Sequence, residues 1–570
     1  MRESIRVPIL RYRPCREALV SLGAIALALL AMTAPCHAFT FDTGNPDFSM
    51  RWDNTVKYSA AMRLEKQSSE LVSNLNQDDG DRAFSRGLIS NRFDLLSEMD
   101  AIYKGWGVRV SGAGWYDDVY NRDQDNDSPS TANLFSKSYD KFTGDTRELH
   151  GRDAEILDAF VFGKQVMGNS TLSFRAGQYA MQWGESLFFG NNGIAGGMAP
   201  IDVVKLLSVP NTQFKELIRP VPQVSSQFQI GPCFSIGVYY QFDWEETRLP
   251  AVDSYFGNID IVGTGGERLF AGPPLMPGGA PAAFFRGKDL EAGDSGQGGI
   301  QVRYRLGEYD LGFYALRYHD KIPQLYGRLS VVDTPGGPAV LDPANFDPVA
   351  GKIGEYFLVY PENIDTYGMS ATATFGIVNL AGEVSIRHNT PLVSDLQVTV
   401  PGVAADNDDD PLYAVGDSFH AQVSWIASME PSFIANEADF LGEIAYNRRT
   451  NISKNPRALD PNTTKDALGL RMVYEPKYRQ VFSGVDLSVP AGLAYFPKGT
   501  SSVVGSFGPE QGGDMNIGLK FTYLDVWRCG LTYTHYYGSQ GTFLDSNNFF
   551  SFDQSYADRD FVAFSVYRTF

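Results

Sequence analysis

Cysteine is scarce: the 570 residues hold four, and only Cys233 and Cys529 lie beyond position 36. Disulfides therefore cannot be the framework of a chain this long. Basic charge is also short. Against 67 Asp and Glu stand 48 Lys and Arg, a formal charge of -19, which disfavours a polyanionic partner such as nucleic acid. After the N-terminal segment no stretch approaches the roughly 18 consecutive apolar residues of a membrane helix. An exported chain of this kind is either soluble or crosses a membrane without helices. What the sequence does have is aromatic and apolar weight, with 38 Phe, 29 Tyr and 7 Trp and 43% hydrophobic residues, which disfavours disorder. At about 150 residues per domain the length suggests three or four soluble domains, unless one large β architecture absorbs it.

The N-terminus reads as an address. Arg2, Arg6, Arg11, Arg13 and Arg16 precede an apolar segment from Ala18 to Met32, and Cys36-His37-Ala38 places small residues at -3 and -1. This is the pattern of a signal peptide over 1–38 cleaved after Ala38. The apolar segment is shorter than the ~20 residues of a spanning helix, and Thr33 stands where a lipoprotein signal has an aliphatic residue. Removing five Arg and two Glu leaves 43 basic and 65 acidic residues, or -22, in a single domain over 39–570.

The mature sequence has period two. From Phe48 to Leu64 one parity reads Phe, Met, Trp, Asn, Val, Tyr, Ala, Met, Leu, while the other, from Ser49 to Arg63, is polar except for Ala61. Alternation over nine or more residues gives a strand one apolar and one polar face, long enough to cross a bilayer at a tilt. It recurs at Phe234 to Trp244 and Asp514 to Tyr523, and more weakly at Tyr367 to Phe375, Phe419 to Ala427 and Leu468 to Tyr474.

The connections alternate as well. Short turns are expected at Lys104-Gly105, 167–169, Gly231-Pro232, 307–309, 376–378, Glu430-Pro431, 476–478 and 524–526. Long polar or Gly/Pro-rich loops are expected at 65–91, 118–151, 182–222, 245–296, 320–365, 389–417, 448–465, 490–513 and 538–558. Eight turns and nine loops imply an all-β transmembrane antiparallel barrel of about 18 strands (range about 16–18), with short periplasmic turns and long extracellular loops. Val562, Phe564, Val566, Arg568 and Phe570 share the outward parity. This resembles the terminal strand read by the barrel assembly machinery, with Arg568 at the position usually aromatic. A cation there is tolerable only near the membrane boundary.

The stretch Gly177-Gln178 through Trp183-Gly184-Glu185-Ser186, then Pro200-Ile201-Asp202-Val203, and Lys215-Glu216 leading to Pro220-Val221-Pro222, resembles the domain-of-unknown-function thirteen-zero-two family of Gram-negative outer-membrane proteins. Phe48 to Tyr58 and Asn91-Arg92-Phe93 to Trp106 extend the likeness over most of the chain. The resemblance implies an outer-membrane location and a role in handling hydrophobic compounds. It also implies two partners, a periplasmic carrier protein and a resistance-nodulation-division type permease. The barrel itself implies contact with outer-membrane lipid and lipopolysaccharide.

Polar-parity charges are the candidate lumen residues: Arg51, Lys57, Arg63, Arg109, Arg175, Arg303, Arg305, Glu383, Arg387, Arg471, Glu475, Lys520 and Arg528, with Asp94, Glu98 and Asp100. Such groups set the field felt by a passing solute. Both signs are present, so no simple ion preference follows. Loop 182–222 is too apolar for a solvated loop, with Leu187, Phe188, Phe189, Ile194, Met198, Leu206 and Leu207 among its residues. We expect it to fold into the barrel mouth, placing Lys205, Lys215, Glu216 and Arg219 near a constriction; the alternative is packing against other loops or a partner. Phe188, Phe189, Leu206 and Leu207 with Phe284 and Phe285 of the Leu269–Phe285 stretch are candidates for an apolar vestibule.

Other motifs point to little. Gly293-Asp294-Ser295-Gly296 resembles the nucleophile region of trypsin-like proteases, but no matching His motif accompanies it. Asp123, Asp125 and Asp127 alternate as in a calcium loop, yet Ser128 and Leu134 stand where an EF-hand needs Gly and Glu. Loose divalent binding by this run or by 406–410 competes with a solvated acidic loop. Cys233 and Cys529 fall on strands nearly opposite in an 18-strand ring and are expected to be free thiols. No cofactor or catalytic site is indicated. The expected activity is passive passage of small hydrophobic or amphipathic solutes. A station in an export or lipid-handling route, a receptor or scaffold barrel without flux, and a lipid-modifying enzyme remain as alternatives.

Overall fold

In the computed structural model the described residues are 39–41, 44–212, 214–332, 340–505 and 507–570. The signal-peptide segment lies outside them. Among the described residues no helix is long and apolar enough to cross a membrane.

Eighteen antiparallel strands close into one barrel. In chain order they are β1 (Phe48–Arg63), β2 (Gly87–Tyr103), β3 (Trp106–Asp117), β4 (Arg152–Met167), β5 (Ser170–Tyr179), β6 (Val221–Ile230), β7 (Phe234–Gln241), β8 (Gly298–Leu306) and β9 (Tyr309–Tyr318), followed by β10 (Ile364–Phe375), β11 (Val378–Pro391), β12 (Val415–Met429), β13 (Glu437–Lys454), β14 (Asp466–Phe482), β15 (Val485–Ser488 continued by Ala491–Lys498), β16 (Gly513–Tyr523), β17 (Trp527–Tyr537) and β18 (Phe561–Thr569). Each strand pairs with its sequence neighbours, and β18 returns to β1 with Thr55 opposite Thr569 and Arg63 opposite Phe561. Closure leaves no barrel edge unpaired, which a lipid environment demands.

Parity behaves as the alternation predicts. Lys57, Ser59, Glu383, Ser385, Gln422 and Ser424 turn inward and are buried, while Met62, Phe93, Phe313, Met369, Val423 and Ile517 face outward and are exposed. Tyr103, Trp106, Tyr309, Phe375 and Tyr523, all beside short turns, are exposed on the outer face as an aromatic girdle. Arg568 sits at this rim with its guanidinium 5.3 Å from the Trp527 ring centroid, so the departure in the terminal strand is shielded by an aromatic neighbour.

Seven of the eight expected turns lie where predicted. The eighth is corrected: 476–478 is inside β14, and the hairpin turns at Ser483-Gly484, with Gly484 at φ 73°. The expected loop 490–513 also shortens, because Ala491–Lys498 belongs to the wall. Pro490 interrupts β15 because it has no N–H for the ladder. The break hides the strand's alternation.

Some of the long loops are themselves ordered into sheet. Segments of three of them form a second, five-stranded sheet over the mouth, in the order Gln397–Thr399, Gln324–Leu329, Lys352–Val359, Pro281–Arg286, Arg268–Pro274. From the loop between β7 and β8, Tyr255 and Phe256 cross to pack on Ala61, Ile89 and Ala563 of β1, β2 and β18.

Candidate functional site

Loop 180–220, between β5 and β6, enters the lumen and is held by the wall on several sides. Its apolar residues account for the direction: Ile194 and Met198 are buried against Tyr239, Tyr314 and Leu316 of β7 and β9, with Trp183 alongside. Phe189 packs on Phe496 and Phe507 at ring distances of 6.2 and 5.5 Å. Burying this apolar surface favours the inserted position.

The loop's main chain then needs partners, since buried N–H groups left unpaired are costly. Two wall carboxylates supply them. Glu383 of β11 accepts from the N–H of Glu185 at 2.7 Å and of Ile194 at 2.6 Å. Glu443 of β13 accepts from Leu187 at 3.2 Å, Phe188, and Phe189 at 2.8 Å. Arg387 answers the carbonyls, donating to Asn191 and Gly193 at 2.8 Å each. Asn192 is enclosed by Gln422, His420 and Asn447, each at 3.2 Å. Beyond the end of β9, the Lys321 ammonium donates to the Gly197 carbonyl at 3.4 Å, and burial pushes its pKa down to about 8.

The far end of the loop reaches the opposite wall. A short helix, Val203–Ser208, is capped by the Asp202 carboxylate on the Lys205 N–H, and it turns the Lys205 ammonium to Glu155 of β4 at 2.8 Å. Arg248 joins the same pair, 2.7 Å from Glu155 and 2.8 Å from Asp202. Lys215 pairs with Glu98 of β2, and Asn211 donates to Ser565 of β18 at 2.7 Å. Between this end and the wall, a cavity of about 20 Å³ is lined by Lys57, Asp94, Trp115, Lys205 and Glu216, the room of about one water.

Of the candidate constriction residues, Lys205, Lys215 and Glu216 thus meet the lumen wall beside Lys57. Arg219 does not. It lies in an external cleft, 3.0 Å from Glu245 and with the Glu246 carbonyl at 2.6 Å. The remaining lumen arginines are distributed around the wall: Arg51 pairs with Asp53 at 2.7 Å, Arg109 with Asp100 at 2.6 Å, and Arg471 with Asp514 at 3.2 Å. Arg175 lies over the Phe160 and Tyr179 rings. Arg303 alone of these reaches the loop, 3.0 Å from Glu185. The six vestibule candidates do not form one surface. Phe188 and Phe189 belong to the lumen stretch held by Glu443, Leu206 is exposed, Leu207 packs under the Tyr255 arm, and Phe284 and Phe285 belong to the external sheet.

Glu383 and Glu443 carry the loop, yet sequence reasoning offered Glu383 only as one wall charge among many and missed Glu443. Their inward parity was readable; that their oxygens meet a segment about 190 to 250 residues earlier was not. His319 does come to Ser295, but its Nε2 is 2.8 Å from the main-chain oxygen and its Nδ1 accepts from the Asn363 N–H, so the ring braces backbone. Asp123 pairs with Lys141, and Asp406 caps the N–H groups of Asp408 and Asp410. Cys233 and Cys529 are free thiols.

No curated protein matches the sequence. Among solved structures, OccAB3 of Acinetobacter baumannii is similar at 12% identity, with 91% of this chain and 99% of that one covered and a TM-score of 0.40. The outer-membrane protein opdK of Pseudomonas aeruginosa is similar at 9%, covering 91% and 98%, TM-score 0.39. The outer-membrane channel DcaP of Acinetobacter baumannii is similar at 10%, covering 94% and 100%, TM-score 0.35. The barrel assignment rests on the strand pairing above. The model of the family described as "Protein of unknown function (DUF1302)" matches residues 19–570, and the chain belongs to that family.

Proposed function

We propose that this protein is an outer-membrane channel for small apolar or amphipathic solutes, with a lumen closed at rest by loop 180–220 and opened by displacement of that loop. The carrying observation is the seating of the loop: two buried wall carboxylates accept five of its N–H groups. A loop fixed in this way narrows the path, and its displacement would uncover the Trp183, Tyr239, Tyr314 and Phe189, Phe496, Phe507 groups, now packed together, as apolar lumen surface. The apolar part of a solute would lie against these rings, and its polar end would meet Arg303 or Lys205. Passage is equilibrative and the reading contains no catalytic step.

The test is single-channel recording of the refolded chain 39–570 beside Glu383→Gln/Glu443→Gln, with liposome swelling in solutes of equal size and graded polarity. We expect rare openings in the parent, frequent openings in the variant, and faster swelling with the less polar solutes. Regular ohmic steps in the parent would refute the closed resting state. A folded variant without current or swelling would favour a receptor or scaffold.

A further inference from the structure

Three carboxylates from distant parts of the chain meet in the cap over the barrel mouth. Asp78 and Asp79 lie in the loop between β1 and β2, Asp260 lies in the loop between β7 and β8, and all three are 0–1% exposed. One carboxylate oxygen from each lies within 4.8 Å of those of the other two.

Half of each carboxylate is accounted for. Asp260 Oδ2 accepts from the Asp78 and Asp79 N–H groups at 2.9 and 3.3 Å. Asp79 Oδ2 accepts from the Asn133 N–H at 2.8 Å. Asp78 Oδ2 receives the Arg82 guanidinium, with the Thr131 hydroxyl nearby. The other oxygen of each, Oδ1, is buried without a hydrogen-bond partner. Arg82 neutralises one charge; among the described residues neither Asp79 nor Asp260 has a salt-bridge partner, Arg268 acting on Asp79 only from farther off.

Two buried, uncompensated carboxylates side by side are too costly to persist as they stand. Protons or a cation must supply the missing charge. Burial and mutual repulsion raise Asp79 and Asp260 well above the ordinary carboxylate range, in keeping with that shortfall of positive charge. The donor set is all oxygen, three carboxylates with no His or Cys. Hard divalent cations take such donors, and the irregular spacing from two loops suits calcium rather than the strict octahedron of magnesium.

We propose that Asp78, Asp79 and Asp260 bind one calcium ion that clamps the β1–β2 loop to the β7–β8 loop across the barrel mouth. The Tyr255–Phe256 arm, only a few residues before Asp260, is thereby fixed over the lumen.

The experiment uses the full refolded barrel, stripped with chelator, then titrated calorimetrically with CaCl2 or MgCl2 and assayed for bound metal. We expect one equivalent of calcium, a rise in unfolding temperature on binding, at least tenfold weaker binding in Asp260→Asn, and none at this site in Asp79→Asn/Asp260→Asn. A reversal of stability order provides a readout that misfolding does not mimic. In chelator the double variant should unfold above the parent, because it no longer carries the cost of burying two acids side by side; in calcium the parent should unfold above the variant. Heat-modifiable gel mobility monitors barrel folding. A parent that binds no calcium at millimolar concentration overturns the proposal. So does an unchanged stoichiometry in the double variant, which would place the ion at 123–127 or 406–410, and so does equal affinity for magnesium.

Discussion

Removing the Glu443 carboxylate should loosen the lumen loop without opening the barrel wall. Glu443 is fully buried, and it accepts three consecutive main-chain N–H groups, from Leu187, Phe188 and Phe189. A hydrogen bond to an ionised acceptor contributes about 1.5–3 kcal/mol, so three set an upper limit of about 9 kcal/mol. The recovered desolvation cost of the carboxylate, and water entering the space of Glu443→Ala, offset much of this. A net loss of about 3 kcal/mol, the upper cost of one unsatisfied buried donor, shifts the loop equilibrium roughly a hundredfold. Glu383 still holds Glu185 and Ile194, so the loop should detach at one end. In single-channel recordings Glu443→Ala should raise open probability about a hundredfold over the parent. Glu443→Gln, whose neutral oxygen accepts about half as strongly, should fall between them. A folded Glu443→Ala barrel with the parent's open probability would refute the latch and leave Phe189, Ile194 and Met198 as what holds the loop.

Arg63 is fully buried between Asp81 at 2.6 Å and Asp558 at 3.1 Å, so Arg63→Met leaves two buried carboxylates short of a cation. It should cost about 3–5 kcal/mol, read as a lower denaturation midpoint; an unchanged midpoint would show the pairs to be dispensable. Burial pushes the Asp253 carboxyl up to about 6, against about 3.9 unfolded. The stability gained by protonation is therefore complete below about pH 4 and lost as pH rises through 6, about 3 kcal/mol in all. Asp253→Asn should accordingly gain on the parent in unfolding temperature between about pH 4 and pH 8, and a constant gap would contradict the assignment. On the outer face Trp425 lies across Gly442, where an added Cβ would meet its ring at 2.0 Å. Gly442→Val should destabilise the barrel by about 1–3 kcal/mol, which urea unfolding in detergent can measure.

The barrel was legible because its cause is local. A two-residue period follows from strand geometry alone, so Lys57 and Ser59 face inward and Met62 outward wherever the strand ends, and alternating loop lengths give the strand number. The loop's apolar excess likewise fixed that it needs cover, though not where. The failures share a physical reason. Pro490 breaks the pattern of β15, so the sequence near 476–498 does not show which residue turns, whereas pairing with β14 and β16 decides it. The external sheet joins strands from three loops, and its parallel pairs have no local signature. Glu443 has the inward parity of any wall residue; only closure of the ring sets it against Leu187 to Phe189. Asp260 likewise meets Asp78 and Asp79 across about 180 residues of chain. Composition and period by themselves determined a closed, polar-lined, apolar-coated barrel. Tertiary structure alone decided which buried charges meet, because burial and distance rather than residue type set what a carboxylate does.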